Sequence, residues 1–184
     1  MRGSFHSIFK KAKMSHLIEV KRRFKDVGST TGFIVDFSEP LVLVHTLDTD
    51  AFLLNGYTMI RREDITETRV FSKAEYWQVR AVRHFDLKPM RPAGISVASL
   101  PALLKSVANN YPLVTLHPEQ TKPDICFIGQ LVSMTERTFT IEDLDSNGEW
   151  RGPRRMKFSD VTRVDFGDGY AGALAATAPK RAKD

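Results

Sequence analysis

The chain holds one cysteine among 184 residues, so it cannot form an internal disulfide. It has no run of 18 apolar residues, so no membrane span is predicted. Its basic N-terminus lacks an apolar stretch long enough for a signal peptide. These absences predict a soluble, cytoplasmic protein. The cysteine, Cys126, lies in the apolar run 125–128, which predicts a buried and unreactive side chain.

Motifs of catalysis and metal binding are also absent. The sequence contains no HExxH, CxxC, Gly-x-Ser-x-Gly, Gly-x-Gly-x-x-Gly or Walker pattern. None of the five histidines pairs with another ligand type at a metal-binding spacing, and the acidic run 142–145 lacks EF-hand spacing. We therefore predict no catalytic residue, no cofactor and no metal. An enzyme whose site assembles from residues distant in sequence is the least favoured alternative.

Net positive charge is confined to the two ends of the chain. Residues 1–25 contain eight Lys or Arg and one acid, and residues 151–184 contain eight Lys or Arg and four acids. The middle, residues 26–150, contains eleven Lys or Arg against seventeen acids. A nucleic-acid-binding surface would therefore have to be local rather than spread over the whole protein.

The most informative positive feature is an internal repeat with a period near 97 residues. Gly32 heads the segment Gly-Phe-Ile-Val, and Gly129 heads Gly-Gln-Leu-Val. Asp64 and Asp160 each precede Ile or Val and then Thr, 32 and 31 residues after those glycines. Two anchors at nearly equal spacing predict a duplicated β-rich unit. Each aspartate is interpreted as a turn residue that accepts backbone N–H groups, with an acid–base role as the minor alternative.

Turn residues divide each unit into five strands. In the first unit, the predicted strands lie at 17–24, 32–37, 41–47, within 52–61, and 65–71; in the second, they lie at 112–117, 125–134, 138–144, 150–158 and 161–166. Apolar spacing predicts helices at 4–13, 73–85, from Ser99 to about Asn109, and 171–178. The apolar helix residues predicted to be largely buried are Trp77, Phe85, Leu100, Leu103, Leu104 and Val107.

These elements predict a mainly β, α+β protein. We expect two five-stranded, strongly bent antiparallel barrels with short flanking helices, because closure hides the strand edges. The predicted divisions are a helix plus barrel at 1–71, a helix and proline-containing linker at 72–98, a helix plus barrel at 99–168, and a partly disordered tail at 169–184.

The order of a helix followed by five strands, with a glycine in the second strand, resembles the Sm-like (LSm) fold. The resemblance rests on segments 32–36 and 129–133 and on the two segments Asp-Ile-Thr and Asp-Val-Thr. It covers about residues 4–71 and 99–168. The resemblance implies ring formation and RNA binding. RNA-binding members usually carry Asp-x-x-Met-Asn in the third-strand loop and Arg-Gly or Lys-Gly before the fifth strand. Residues 47–51, 60–64, 144–148 and 156–160 contain neither, so no RNA-contacting residue carries over.

The sequence leaves two main functional hypotheses. The first is a non-catalytic binding or assembly module that associates with a protein partner or with itself, as a homo-oligomer, and not with a membrane. The second is RNA binding through local basic patches, with an aromatic side chain available for base stacking. The residues predicted for that second role are Arg22, Arg23, Trp150, Arg151, Arg154, Arg155 and Lys157.

Overall fold

A computed structural model describes residues 16–24, 28–71 and 73–180, and its described part is mainly β. The strands of the first repeat are β1 Leu17–Arg22, β2 Thr30–Phe37, β3 Leu41–Asp48, β4 Leu53–Arg61 and β5 Ile65–Phe71. Helices α1 Trp77–His84 and α2 Leu100–Asn110 follow. The second repeat contains β6 Val114–His117, β7 Phe127–Met134, β8 Thr138–Leu144, β9 Trp150–Lys157 and β10 Arg163–Phe166, followed by helix α3 Gly169–Thr177.

All ten strands belong to one antiparallel sheet, with the order β5-β1-β2-β3-β4-β10-β6-β7-β8-β9. The prediction of two separate five-stranded barrels is therefore wrong, while the mainly β class is confirmed. Each repeat does keep its own five strands together and in the same internal order. The sheet becomes continuous because β10 pairs with β4, a contact we call the joint.

The sheet is strongly bent. In a flat sheet, β1 and β6 would lie about 24 Å apart, because they are five strand spacings from each other. Yet Arg22, the last residue of β1, donates a hydrogen bond of 2.8 Å from Nη2 to Oε1 of Glu119, two residues after β6. The sheet must therefore curl until these two strand ends meet across the joint.

Strand register supports the duplication predicted from the sequence. Ile18 pairs with Gly32 in the first repeat, and Val114 pairs with Gly129 in the second. A Cβ on either glycine would lie only 2.3 or 2.2 Å from a carbonyl oxygen of the neighbouring strand, that of His45 or Glu142. Both positions therefore require glycine for close strand approach.

The turn before the last strand of each repeat is also duplicated. A 3-10 turn covers Arg62–Asp64 in the first repeat and Phe158–Asp160 in the second. Thr66 then donates from Oγ1 to the carbonyl of Lys21, and Thr162 donates in the same way to the carbonyl of His117. The same threonine role at a spacing of 96 residues ties each fifth strand to the first strand of its own repeat.

Helix α2 fills the space between the repeats. Its N-cap, Ser99, accepts a hydrogen bond from the N–H of Ala102. The four α2 residues predicted to be buried are indeed buried: Leu100, Leu103, Leu104 and Val107. They share one core with Leu41, Leu43 and Met59 of the first repeat and Val164 and Phe166 of the second. Ile95 and Val97, from the predicted linker, belong to the same core.

Helix α1 differs from its prediction. It begins at Trp77 rather than near residue 73 and buries Val79, with Val82 half-buried beside it. Trp77 and Phe85 are 56% and 57% exposed, so the prediction that they are buried is wrong. Cys126 is likewise exposed and precedes β7 instead of lying within it, so the prediction that it is buried is also wrong. The predicted helix at 4–13 lies outside the described residues.

Candidate functional site

The joint is a continuous, well-packed contact between β4 and β10. Its register places Val164 opposite Met59, Asp165 opposite Thr58, and Phe166 opposite Tyr57. Met59, Val164 and Phe166 are fully buried, and the rings of Tyr57 and Phe166 stack with their centroids 5.4 Å apart. Thr58 donates to Asp165 Oδ1 over 2.8 Å. The joint thus combines apolar burial with one specific polar pair.

A histidine and an arginine adjoin this polar pair. His117 Nε2 lies 2.7 Å from Asp165 Oδ2, and Arg163 Nε lies 3.0 Å from the same oxygen. Burial alone would raise the pKa of Asp165, but the hydrogen bond from His117 and the charge of Arg163 bring it below its usual value. A carboxylate held ionised by three partners, including Thr58, has a structural role at the joint, because its accepting oxygens are occupied.

Two of the sequence-predicted RNA-binding residues lie on β1 and just after it. The Arg22 side chain is fully buried and forms a two-point ion pair with Glu119. It therefore faces the interior rather than a ligand. Arg23 is half-exposed, and its Nη2 lies 2.7 Å from Oδ1 of the buried Asp64. Both arginines are therefore engaged with acidic residues of the protein itself.

Asp64 does not have the turn role predicted for it. Its carboxylate is fully buried and has no hydrogen bond within the described part of the chain, although Arg23 lies beside it. Burial raises the pKa of Asp64, and the nearby Arg23 and Arg61 oppose that shift only in part. Asp160, its counterpart, is half-buried and accepts a hydrogen bond from the Ser159 hydroxyl. Among the residues that the structure describes, no backbone N–H donates to either aspartate side chain.

A cavity of about 580 Å³ opens at one end of the joint, and we call it the joint pocket. Its volume is within the range of small-ligand sites. Its walls come from the β2–β3 turn, the 3-10 turns of both repeats and the start of α2. The lining residues are Glu39, Pro40, Leu41, Arg61, Arg62, Glu63, Ser99, Leu100, Phe158 and Ser159.

Arg61 spans the two repeats at this pocket. Its Nη2 donates to the carbonyl oxygens of Phe158 and Ser159, at 2.6 and 3.2 Å. The lining residues include no histidine, and the two acids among them, Glu39 and Glu63, have side chains 88% and 68% exposed. A general acid or base must have a pKa near the working pH and must lie within hydrogen-bond reach of the proton that it transfers. The pocket offers shape and apolar walls for binding a ligand, and its two arginines are paired with its two acids, Arg61 with Glu63 at 3.5 Å and Arg62 with Glu39 at 2.9 Å.

Strand β9 divides its predicted cations between two faces. Side chains alternate along a strand, so Arg151, Arg155 and Lys157 project outward while Arg154 projects toward the inner face. Arg154 donates from Nε and Nη2 to Asp143 Oδ2, at 2.8 and 2.7 Å, and lies 4.0 Å from the centre of the Phe127 ring. Its guanidinium is therefore already engaged within the protein.

Trp150 and Arg151, at the start of β9, are also engaged. Trp150 packs against α3 residues in a half-buried position, and its Nε1 donates to the Pro179 carbonyl over 2.9 Å. Arg151 forms an ion pair with Asp145 in the β8–β9 turn and lies 3.4 Å from Glu149. Trp150 thus does not lie on the outer face with the cations, contrary to the arrangement required for base stacking.

Three exposed cations remain together on the outer face: Arg137, Arg155 and Lys157, which we call the basic face. Lys157 pairs with Thr138 in the β8–β9 register, and Arg155 donates from Nε to the Thr138 hydroxyl over 3.1 Å. The carbonyl of Arg137 accepts from the N–H of the pocket residue Phe158. Within the described part of the chain, none of the three basic-face residues has a carboxylate partner within ion-pair distance.

The basic face therefore adjoins the joint pocket. Sequence reasoning missed Arg137, because it is isolated in the β7–β8 turn and joins the cluster only through strand pairing. The two predicted strands 138–144 and 150–158 form a hairpin, and its pairing places Arg137, just before the first strand, next to the end of the second. That pairing is the sequence signal from which Arg137 could have been predicted. Arg61 and Arg62 were also missed as pocket residues, because the joint that brings them to Phe158 is non-local.

Residues 16–24, 28–71 and 73–180 contain no group of three or more His, Cys, Asp or Glu arranged to hold a metal ion. The helices of this same part are too short or too polar to cross a membrane. The cytoplasmic location stays a prediction. No family model matches the chain, and no curated protein matches it.

Proposed function

We propose that this protein is a non-catalytic binding module whose ligand is single-stranded RNA. The observation that carries the proposal is the contact between the joint pocket and the basic face. A pocket with apolar walls suits a nucleobase, and adjacent cations without carboxylate partners suit the phosphates that flank it. Phe158 and Lys157 are consecutive residues that link the two surfaces.

Membership of the Sm-like fold is part of this proposal. Its support is the strand order, which runs β5-β1-β2-β3-β4 in the first repeat and β10-β6-β7-β8-β9 in the second. The glycine of the second strand has the same close contact in both repeats. The proposed ligand surface uses residues of this chain and none of the family's RNA motifs.

Binding of fluorescein-labelled, mixed-sequence single-stranded RNA, measured by anisotropy at several salt concentrations, tests the proposal. Replacing Arg137, Arg155 and Lys157 by alanine should weaken binding about tenfold at low salt and lower the slope of log K against log salt by about 2, because each lost phosphate contact removes about 0.7. The loss should be similar for different sequences, because phosphate contacts carry little sequence information.

The matched control removes three exposed cations from the segment around α1, with Lys73, Arg83 and Lys88 replaced by alanine. This variant changes the net charge equally and should keep wild-type affinity and salt slope. Equal weakening by both variants would indicate non-specific attraction and contradict the proposed site. Absence of wild-type binding at low salt would contradict RNA binding itself.

A protein partner is the second candidate, favoured by an exposed aromatic cluster. Phe52 lies 5.8 Å from Trp77 and 5.6 Å from Phe85 between ring centroids. Phe52 also has a φ of 51°, a conformation that bulky residues seldom adopt. Exposed apolar clusters of this kind are common at protein–protein contacts. A nuclease-treated pull-down with wild type and with the Trp77→Ala, Phe85→Ala variant tests it; equal capture by both would contradict it.

A further inference from the structure

The joint shows which residues this chain uses to pair the edge of one repeat with the edge of another. Among the described strands, β5 of the first repeat and β9 of the second are the two that end the sheet. If another chain used the same contact, its β5 would lie beside β9 as β10 lies beside β4. The internal register allows the residues at such a contact to be specified.

Strand pairing fixes which positions of the two repeats are equivalent. Val44 pairs with Thr58, and Ile141 pairs with Arg154, so Arg154 stands at the position of Thr58. Val20 pairs with Thr68, whereas Leu116 pairs with Val164. Thr68 is therefore the counterpart of Val164, and the next residue, Arg69, is the counterpart of Asp165.

The polar pair of the joint would become a repulsive pair between chains. In the joint, Thr58 donates to Asp165. At the equivalent contact between two chains, Arg154 would lie opposite Arg69. Like charges directly opposite each other on neighbouring strands destabilise pairing.

The apolar pairs of the joint would be lost as well. In the joint, Met59 and Val164 form a fully buried pair. Arg155 and Thr68 would take their places between two chains. The joint's pair of Tyr57 and Phe166 would likewise become Pro153 opposite Val70. Pro153 has no N–H to donate to an added strand. Charged side chains and proline on an exposed edge are the usual means of preventing edge-to-edge association.

The outer face of the first repeat is apolar at positions where the outer face of the second repeat is polar. Leu41 and Leu43 of β3 are buried in the core shared with α2. In the first repeat, Leu41 pairs with Arg61 and Leu43 pairs with Met59. The equivalent pairs of the second repeat are Thr138 with Lys157 and Thr140 with Arg155. Threonine therefore replaces leucine at both positions of β8. At these two positions the second repeat therefore has polar side chains instead of the apolar surface that α2 covers, and Val132, the counterpart of Val35, is the apolar position that it keeps exposed.

We infer that the chain is a terminated two-repeat unit, in which β9 and β5 are specified against head-to-tail pairing with another copy. The sheet stops at β9 because Pro153, Arg154 and Arg155 cannot pair with another copy of β5 as β4 pairs with β10. This inference concerns the two edges and is independent of RNA binding.

Light scattering coupled to size-exclusion chromatography tests the inference on the full chain. The wild type should have the mass of one chain, 20.8 kDa, up to the highest soluble concentration. One edge variant gives β9 the residues of β4: Pro153→Tyr, Arg154→Thr and Arg155→Met. The other gives β5 the residues of β10: Thr68→Val, Arg69→Asp and Val70→Phe.

Each edge variant alone has only one restored edge and should remain a monomer, whereas an equimolar mixture should show a twofold mass. Far-UV circular dichroism establishes that both variants are folded. Wild-type oligomers under these conditions would overturn the inference. Folded edge variants that fail to pair when mixed would overturn it too, because the edge residues would then not determine pairing.

Discussion

At the scale of single residues, equivalent positions in the two repeats have diverged in environment. Asp64 and Asp160 occupy the same place in the same 3-10 turn, yet Asp64 is fully buried and Asp160 is half-buried. Both are followed by Ile or Val and then Thr, so this local pattern could not distinguish them. The different burial of the two aspartates depends on long-range packing. Arg23, which follows β1, lies beside Asp64 in the fold although it is distant in sequence.

The raised pKa of Asp64 has a definite consequence for stability. The folded state favours the protonated form, so the ionised carboxylate lowers stability as pH rises through the raised pKa. Asp64→Asn keeps the shape of the side chain and removes the charge, so it should stabilise the protein at pH 7, where the aspartate carries the cost of burying an ionised group. The gain should vanish below the ordinary aspartate pKa, as measured by urea unfolding at several pH values.

Asp160→Asn is the matched control, because the residue has the same place in the other repeat but contacts solvent. It should change stability little at pH 7. If Asp64→Asn instead destabilised the protein at pH 7, the ion pair with Arg23 would outweigh the cost of burying the Asp64 carboxylate, contrary to this prediction.

At the scale of elements, the close approach of the second and third strands of each repeat depends on glycine. Gly32→Ala and Gly129→Ala should each destabilise the protein by about 2 kcal/mol or more, because the new Cβ would overlap a carbonyl oxygen and the strands would have to separate. Chemical unfolding of the two single variants measures this effect.

Gly172→Ala in α3 is the control for these glycines. An added Cβ there meets nothing within 4 Å, and alanine is the better helix former, so this variant should gain about 0.5–1 kcal/mol. Tolerance of alanine at both Gly32 and Gly129 would contradict the close strand approach in the two repeats.

Most elements could be predicted from the sequence, because turn residues and apolar spacing are local signals. The four buried residues of α2 follow from one such pattern, beginning at the Ser99 cap. The spacing of Trp77 and Phe85 predicts burial wrongly, because spacing identifies a helix face but not what covers it. In the structure, Val79 and Val82 form the covered face instead.

At the scale of the whole molecule, the joint decides the architecture, and its formation could not be predicted. Pairing of β4 with β10 joins residues about 100 apart, and the same strands could equally have closed two separate barrels. The burial of Arg22 against Glu119 follows from the same long-range packing, and the position of Arg137 beside β9 also depends on strand pairing. The candidate site was therefore predicted only in part, through Arg155 and Lys157.

The joint and the shared core should make the two repeats one cooperative body. The protein has two tryptophans: Trp77 reports on the first repeat and Trp150 on the second. Urea unfolding should be followed by fluorescence in the Trp77→Phe and Trp150→Phe variants, each of which retains one probe. Because the core around α2 includes residues of both repeats, the two curves should have the same midpoint and slope. Two separated midpoints would contradict the account, because the repeats would then unfold as independent barrels.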